Sequence, residues 1–459
     1  MSHKKSRNRV AIAALAALSL VAASCGGDDD DAAEPATEEP AAEEPAAEEP
    51  AAEEPAAEEP AAEEPAAEEP AAEEPMVADG TPIKIGLVYS ETGRTAATYG
   101  MTDGVAKAWA QWVNEEMGGV NGHPVEIVAE DGQSTGEGAV AAAQKLIDAG
   151  VVGIVVQDST AENAIAETIT TAGIPMIGGT ANGRPSDTGE AHWPNTYFPT
   201  APSNPATAAS TMVAAAAAGL TSYSAAVCAE VPACAEAGGL YGAVGPALGV
   251  EYKGLVTVGA ADPSYTAPCL ELVNLGAEVI NLGLAPQTAL AVIAECELQG
   301  FTGAFSSANN SITAPDFEVL DIRLIGGLNG FPWWADAEPV QTYRDVNEKY
   351  GDGDDVRNSS ATSTWSALEL FRKVMSENGP AADAEVTAAD VVGVYQGISG
   401  ETLDGLLAAP VSYVADGFQP GLSCFWLFDM QGGEFSSINV GDSGNGASGD
   451  LQTSCFSFG

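Results

Sequence analysis

Along residues 83–154 the apolar positions change period several times, and the changes mark out a strand, helix, strand, helix, strand unit. The run Ile83-Lys84-Ile85-Gly86-Leu87-Val88-Tyr89 is short, nearly continuous and rich in β-branched residues, which predicts a buried strand. After the polar loop Ser90-Glu91-Thr92-Gly93-Arg94, residues Val105, Trp109, Trp112 and Val113 recur at i, i+4, i+7 and i+8, the spacing of one apolar helix face. Gly118 and Gly119 end that helix, since glycine adopts the left-handed conformation without a steric cost. Val125 to Val128 alternates as a second strand, Ala139 to Asp148 reads as a helix and Val151 to Val156 as a third strand. Strands alternating with helices imply a parallel sheet with right-handed crossovers. Ligands of such sheets sit beyond the carboxyl ends of the strands, where helix N-termini point N–H groups outward. The loops after Tyr89 and Val156 are therefore the candidate site, with Ser90 and Thr92 in the first and Asp158, Ser159 and Thr160 in the second.

The alternation continues with helix Ala161 to Ala172 and strand Ile174 to Ile177, and restarts after Thr200. Helices are expected at Asn204 to Ala218, Ala233 to Leu248, Ser264 to Leu275 and Thr288 to Leu298, with strands at Ser224 to Cys228, Tyr252 to Val258 and Val279 to Leu284 between them. About 380 residues in this part exceed one ordinary core, so size alone points to two lobes.

The first 79 residues follow other rules. Lys4, Lys5, Arg7 and Arg9 precede an apolar run from Val10 to Ala23, too short to span a bilayer but suited to a secretory signal. Ala22-Ala23-Ser24 then precede Cys25, the arrangement of a bacterial lipoprotein signal whose cysteine is acylated after cleavage of residues 1–24. Residues 25–79 hold one Ala-Thr-Glu-Glu-Pro unit and seven copies of Ala-Ala-Glu-Glu-Pro. A proline every fifth residue blocks continuous helix and the paired glutamates repel, so this stalk is expected to be an extended spacer reaching at most on the order of 120 Å.

Charge removes several function classes. The formal net charge is −50, and beyond the stalk the chain still carries 44 acidic against 12 basic side chains. Such a surface repels nucleic acid and anionic lipid, leaving the lipid on Cys25 as the expected membrane contact. Cys25 aside, six cysteines remain in an exported chain, and the expected pairs are Cys228 with Cys234, Cys269 with Cys296 and Cys424 with Cys455, although six cysteines allow 15 connectivities. No Cys-x-x-Cys occurs and there are three histidines, so neither a metal nor another cofactor is expected. Gly441-Asp442-Ser443-Gly444 has the look of a serine-nucleophile loop, but neither His123 nor His192 sits in a context that supplies a base. Asp352-Gly353-Asp354-Asp355 lacks the alternating ligands and closing glutamate of a calcium loop and reads as a solvated turn.

Several stretches together carry a resemblance: Ile83-Lys84-Ile85-Gly86, Thr92-Gly93, Tyr99-Gly100, Gly118-Gly119-Val120-Asn121-Gly122, Glu130-Asp131, Ala141 to Ile147 and Ala172-Gly173-Ile174-Pro175. From about Ile83 to Asn439 the chain resembles the branched-chain amino-acid-binding proteins of ABC importers, which are type I periplasmic binding proteins. The resemblance implies an α/β fold of two Rossmann-like lobes joined by hinge crossovers, residues 80–202 with 333–409 and residues 203–332 with 410–459. It also implies antiparallel strands around Val411, Phe425 and Phe435 finishing the second lobe. Function and partners follow from it: a monomeric solute-binding lipoprotein on the outer face of the bacterial cytoplasmic membrane, with no catalysis of its own, serving ABC permease subunits. The alternative is a sensor that presents its closed form to a signalling partner; a hydrolase is the third reading.

In the related proteins, the loops matching Asp158 to Ala161 and Ala181-Asn182 hold a ligand carboxylate, and Tyr99 matches an aromatic lining the cleft. Where amino-acid binders place a carboxylate for the ligand's ammonium, this chain has Asn309, and Ala285 replaces their aromatic before Pro286. An unpaired buried ammonium is costly, and although Glu230 and Asp158 are candidates to stand in, an amide or carboxylate without a free amine is the expected ligand rather than leucine. Trp333, beside Trp334, is expected either to wall the ligand or to fill the core between lobes.

Overall fold

The computed structural model of the chain describes residues 78–158, 160–180, 194–200, 204–229, 232–308, 314–413 and 423–456. Cys25, the signal and the stalk lie outside these residues.

The first sheet is built as the periodicity requires. Strand β1 (Ile83–Tyr89) is buried except for Lys84, and it pairs in parallel with β2 (Val125–Asp131) and β3 (Gly153–Gln157). Strand β4 (Met176–Gly179) adds to β3, giving the order β2-β1-β3-β4. Between the strands run a short α1 (Ala96–Tyr99), α2 (Thr102–Glu116), α3 (Gly136–Ala149) and α4 (Glu162–Ala172). Val105, Trp109, Trp112 and Val113 form the buried face of α2 as their spacing predicts. Gly118 and Gly119, at φ 70° and 78°, turn the chain after it.

The second sheet repeats this topology. Helix α5 (Asn204–Ala217) leads to β5 (Ser222–Cys228), α6 (Pro232–Leu248), β6 (Glu251–Val258), α7 (Thr266–Asn274), β7 (Val279–Gly283), α8 (Pro286–Leu298), β8 (Ala304–Ala308), a short α9 (Ala314–Phe317) and β9 (Arg323–Leu328). These five strands are parallel, in the order β6-β5-β7-β8-β9. In both sheets the second strand lies on one side of the first and the third on the other, so each has a switch point beside its first strand.

The chain then returns to the first sheet with α10 (Glu338–Tyr350), α11 (Ser359–Asn378) and α12 (Ala388–Tyr395); α10 and α11 both pack on α2, and α11 also on β3 and β4. Strand β10 (Ser399–Glu401) pairs with β11 (Val411–Ser412), and β12 (Cys424–Gln431), β13 (Glu434–Ile438) and β14 (Ser454–Cys455) close the large sheet in antiparallel fashion. The three disulfides are Cys228–Cys234, Cys269–Cys296 and Cys424–Cys455, the expected pairs, all on the large-sheet side. Among the described residues no helix is long and apolar enough to cross a membrane.

Two details differ from expectation. Phe425 and Phe435 do lie on antiparallel strands of the large sheet, but Val411 does not join them; it pairs back to Glu401. The next residue but one explains this, because the Tyr413 ring packs against Tyr197 and Tyr395 and holds this segment with the first lobe. Strands β8 and β9 were not signalled by periodicity, since each interrupts its apolar run with small residues. Ser306 donates to Asn281 Oδ1 inside the sheet, and Gly326 and Gly327 are needed where neighbours approach closely. A Cβ at Gly326 would collide with the Ser307 carbonyl oxygen, and one at Gly327 would meet the Ser210 side chain of α5 at 2.5 Å. Gly326→Ala is accordingly expected to lower stability by about 1–3 kcal/mol in urea denaturation. A wild-type midpoint would contradict this packing.

Candidate functional site

Strand ends from both sheets converge on one helix terminus. Gln157, the last residue of β3, donates through Nε2 to Ser363 Oγ of α11 at 3.2 Å. Gly330, two residues past β9, donates its N–H to Ser359 Oγ at 3.0 Å, and Ala314, at the start of α9 after β8, donates to the Arg357 carbonyl at 3.0 Å. The N-terminus of α11 is thus held between the carboxyl ends of β3 and β9 and the start of α9. Asn358 caps it, its Oδ1 accepting the Ser360 N–H at 2.6 Å. Gln157, Asn358, Ser359, Ser360 and Ser363 are all buried. Three side-chain atoms in this cluster, Gln157 Oε1, Asn358 Nδ2 and Ser360 Oγ, are buried without a hydrogen-bond partner.

Next along β3, Asp158 bridges the first switch point. Its Oδ2 accepts from Ser90 Oγ at 2.5 Å, and its Oδ1 accepts from both the N–H and the hydroxyl of Thr160 at 2.8 Å. The Ser90 oxygen in turn accepts the Ser134 N–H at 3.1 Å. Ser90 and Asp158 are fully buried, and the Asp158 carboxylate is satisfied by hydrogen bonds from Ser90 and Thr160.

A second carboxylate organises the outer rim. Asp131, ending β2, accepts from the Thr92 hydroxyl at 2.6 Å and from the N–H groups of Gln133 at 2.8 Å and Glu91 at 3.1 Å. Burial pushes its carboxyl up, but these donations outweigh burial and hold it below its ordinary value. Beyond the rim lies a cleft of about 400 Å³ lined by Tyr89, Glu91, Met101, Asp103, Asp352 and Asp355. The Tyr89 hydroxyl faces Glu91 and Asp103 there, and burial together with these acids pushes its pKa far up. Two grooves of about 700 Å³ each lie away from the carboxyl strand ends, one beside α12 and one at the amino ends of β8 and β9.

The model of the periplasmic binding protein family matches residues 82–434. The chain is a periplasmic binding protein. No curated protein matches it significantly. Solved structures with the same fold include an extracellular ligand-binding receptor from Verminephrobacter eiseniae, 14% identical with a TM-score of 0.63 over 77% of this chain and 99% of that one. A leucine-binding protein from Thermotoga maritima is 17% identical with a TM-score of 0.59 over 77% of this chain and 97% of that one. An ABC-transporter solute-binding protein from Rhodopseudomonas palustris, in complex with benzoate, is 17% identical with a TM-score of 0.58 over 80% and 99%.

In this periplasmic binding protein the residues singled out from sequence fall into groups. Ser90, Asp158 and Thr160 come together, but as a mutually bonded brace: the Thr160 N–H, expected to be free, is committed to Asp158, and Asp158 is itself saturated. Thr92 serves Asp131 instead. Tyr99 is buried at the end of α1. Trp333 is 3% exposed and packs edge-on to Trp334 and Phe435, with centroids at 4.9 and 5.2 Å. It packs in the core between the crossing and β13, at the edge of the large sheet away from β5. Ser159, Ala181, Asn182 and Asn309, with Glu230 and His192, lie outside the described residues. The Ser443 hydroxyl is hydrogen-bonded to Asn445 and both ring nitrogens of His123 face backbone carbonyls, which leaves that serine no histidine base among the described residues. No group of three or more metal-ligating side chains suited to an ion occurs among the described residues. Sequence reasoning missed Gln157, Asn358 and Ser360; an N-cap asparagine before a serine run was the available signal.

The Asp131 network carries a pH signature. An unfolded aspartate titrates near about 3.9. With the folded value lower, this group contributes stability above about pH 4 and loses it as pH falls through the folded value. Asp131→Asn is expected to lose less melting temperature than wild type between about pH 5 and about pH 3. Parallel slopes would contradict the network.

Proposed function

We propose that this protein is the extracytoplasmic solute-binding lipoprotein of an ABC importer, without catalysis of its own. Residues 1–24 export it, the lipid on Cys25 anchors it to the outer face of the bacterial cytoplasmic membrane, and residues 25–79 hold the binding domain away from the bilayer. Residues 80–202 form one lobe with the segment from 333 through Tyr413, and residues 203–332 form the other with the chain that follows Tyr413. A small amino acid-like, amide or carboxylate ligand enters between the lobes, whose closure creates the surface that the permease subunits recognise. The observation that supports this best is the α11 terminus, where the carboxyl ends of β3 and β9, one from each sheet, meet beside a switch point. Leucine and benzoate in the names of similar structures fit a pocket for small organic solutes.

Thermal shift against amino acids, amides, short carboxylates and aromatic acids tests the reading. A ligand at a hundred times its Kd adds about 2.7 kcal/mol. Thr160→Ala removes a bond that braces Asp158 beside the switch point, and the resulting shift of that loop is expected to weaken the ligand about tenfold. Small-angle scattering should show a more compact particle with ligand; an unchanged radius together with no thermal shift from the whole panel rejects the function. Separately, Cys25→Ser should move the protein from the membrane to the soluble fraction, and retention would reject the anchor.

A further inference from the structure

The hydrogen bonds around the start of α11 fix the chemical sense of the atoms left over. Ser363 spends its one proton on the Ser360 carbonyl at 3.1 Å, so Gln157 must turn its NH2 toward Ser363 and leave Oε1 as a buried acceptor. The Ser360 N–H donates to Asn358 Oδ1, so the Asn358 NH2 is a buried donor. The Ser360 hydroxyl, on the turn between them, can do either. One acceptor, one donor and one adaptable hydroxyl therefore stand unpartnered on side chains at most 1% exposed. Each such group costs about 1–3 kcal/mol if nothing meets it.

We propose that Gln157, Asn358 and Ser360 form a polar subsite of the ligand cleft that takes a neutral group able to donate and accept hydrogen bonds together, a carboxamide or ureido group. This rests on the solute-binding reading above and narrows its ligand class. A carboxylate offers acceptors alone and would set its oxygens against Gln157 Oε1; an ammonium offers donors alone and would face the Asn358 NH2. None of the three side chains carries a charge to repay the desolvation of either ion. A carboxamide matches both: its carbonyl oxygen meets Asn358 Nδ2 at the positive end of the 20-residue α11, and its NH2 meets Gln157 Oε1.

Calorimetry on the full chain with butyramide, urea, butyrate and leucine tests this. Butyramide or urea should bind the wild type, and butyrate and leucine should bind at least tenfold more weakly, by about one hydrogen bond's worth. Asn358→Ser keeps an N-cap oxygen while removing the amide donor, and Ser360→Ala removes the hydroxyl; each should weaken the amide about tenfold with the unliganded melting temperature near that of wild type. Unchanged amide affinity in both variants overturns the subsite. So does a wild type that takes butyrate or leucine and ignores both amides; the solute-binding reading then stands, provided that Thr160→Ala weakens whichever probe binds. If no probe binds and the wider panel also fails, both readings fall together.

Discussion

A helix end rich in hydroxyl groups, buried between two sheets, is the constraint on which this molecule depends. From Ser359 to Phe371 every residue of α11 is buried, six of them serine or threonine. Burial of so many polar groups is tolerable because several are satisfied locally: Thr362 bonds back to the Ser359 carbonyl, Ser363 and Thr364 to Ser360, and Ser366 to Thr362. Short side chains also permit close approach. The Ala367 methyl lies where a Cβ on Gly178 of β4 would be, and Gly330 at the crossing leaves no room beside Thr362 and Ser359. Larger residues on this half of the helix would push it off the first sheet and out of register with the chain leaving the second.

The other half of the helix is held differently. Trp109 of α2 donates to Glu369 at 2.7 Å, Arg372 pairs with the same carboxylate at 2.8 Å, and Trp112 stacks on Trp365 with centroids 5.6 Å apart. A buried carboxylate with an indole and a guanidinium donor is fully compensated, so this end fixes the helix against α2 through geometry as well as apolar area. The polar amino-terminal half faces the strand ends while the aromatic half faces the lobe's core. One helix thereby ties the position of the site to the packing of the domain.

Most of the architecture was legible because it is written in periodicity. The strand, helix and strand boundaries from Ile83 to Leu298 follow from apolar runs and spacing to within a few residues, and the resemblance assigned residues 333–409, which carry α10 and α11, to the first lobe. Legibility failed where a strand's neighbours demanded small residues. Gly326-Gly327 reads as a turn in isolation, and only the proximity of Ser307, Phe428 and Ser210 makes it a central strand. The site was legible as loops but not as chemistry. Spacing placed Ser90, Asp158 and Thr160 in the loops after β1 and β3, yet whether a hydroxyl faces a ligand or a neighbouring carboxylate depends on distances of a few ångströms that spacing does not encode. Asn358 and Ser360 act through where α11 ends, a tertiary fact, and Trp333 depended on which strand its ring would meet.

All three disulfides cross-link the lobe built on the large sheet, and none involves the first lobe's strands or helices. Cross-links shrink the denatured ensemble of the chain they enclose, so under oxidising conditions the two halves resist unfolding unequally. Local opening should therefore begin in the half that carries β1 to β4, and a protease outside the cell would find its earliest cuts there. Exported into a reducing medium, the same chain would lose that asymmetry and open as a more even pair. Its durability is thus a property of the compartment as much as of the sequence.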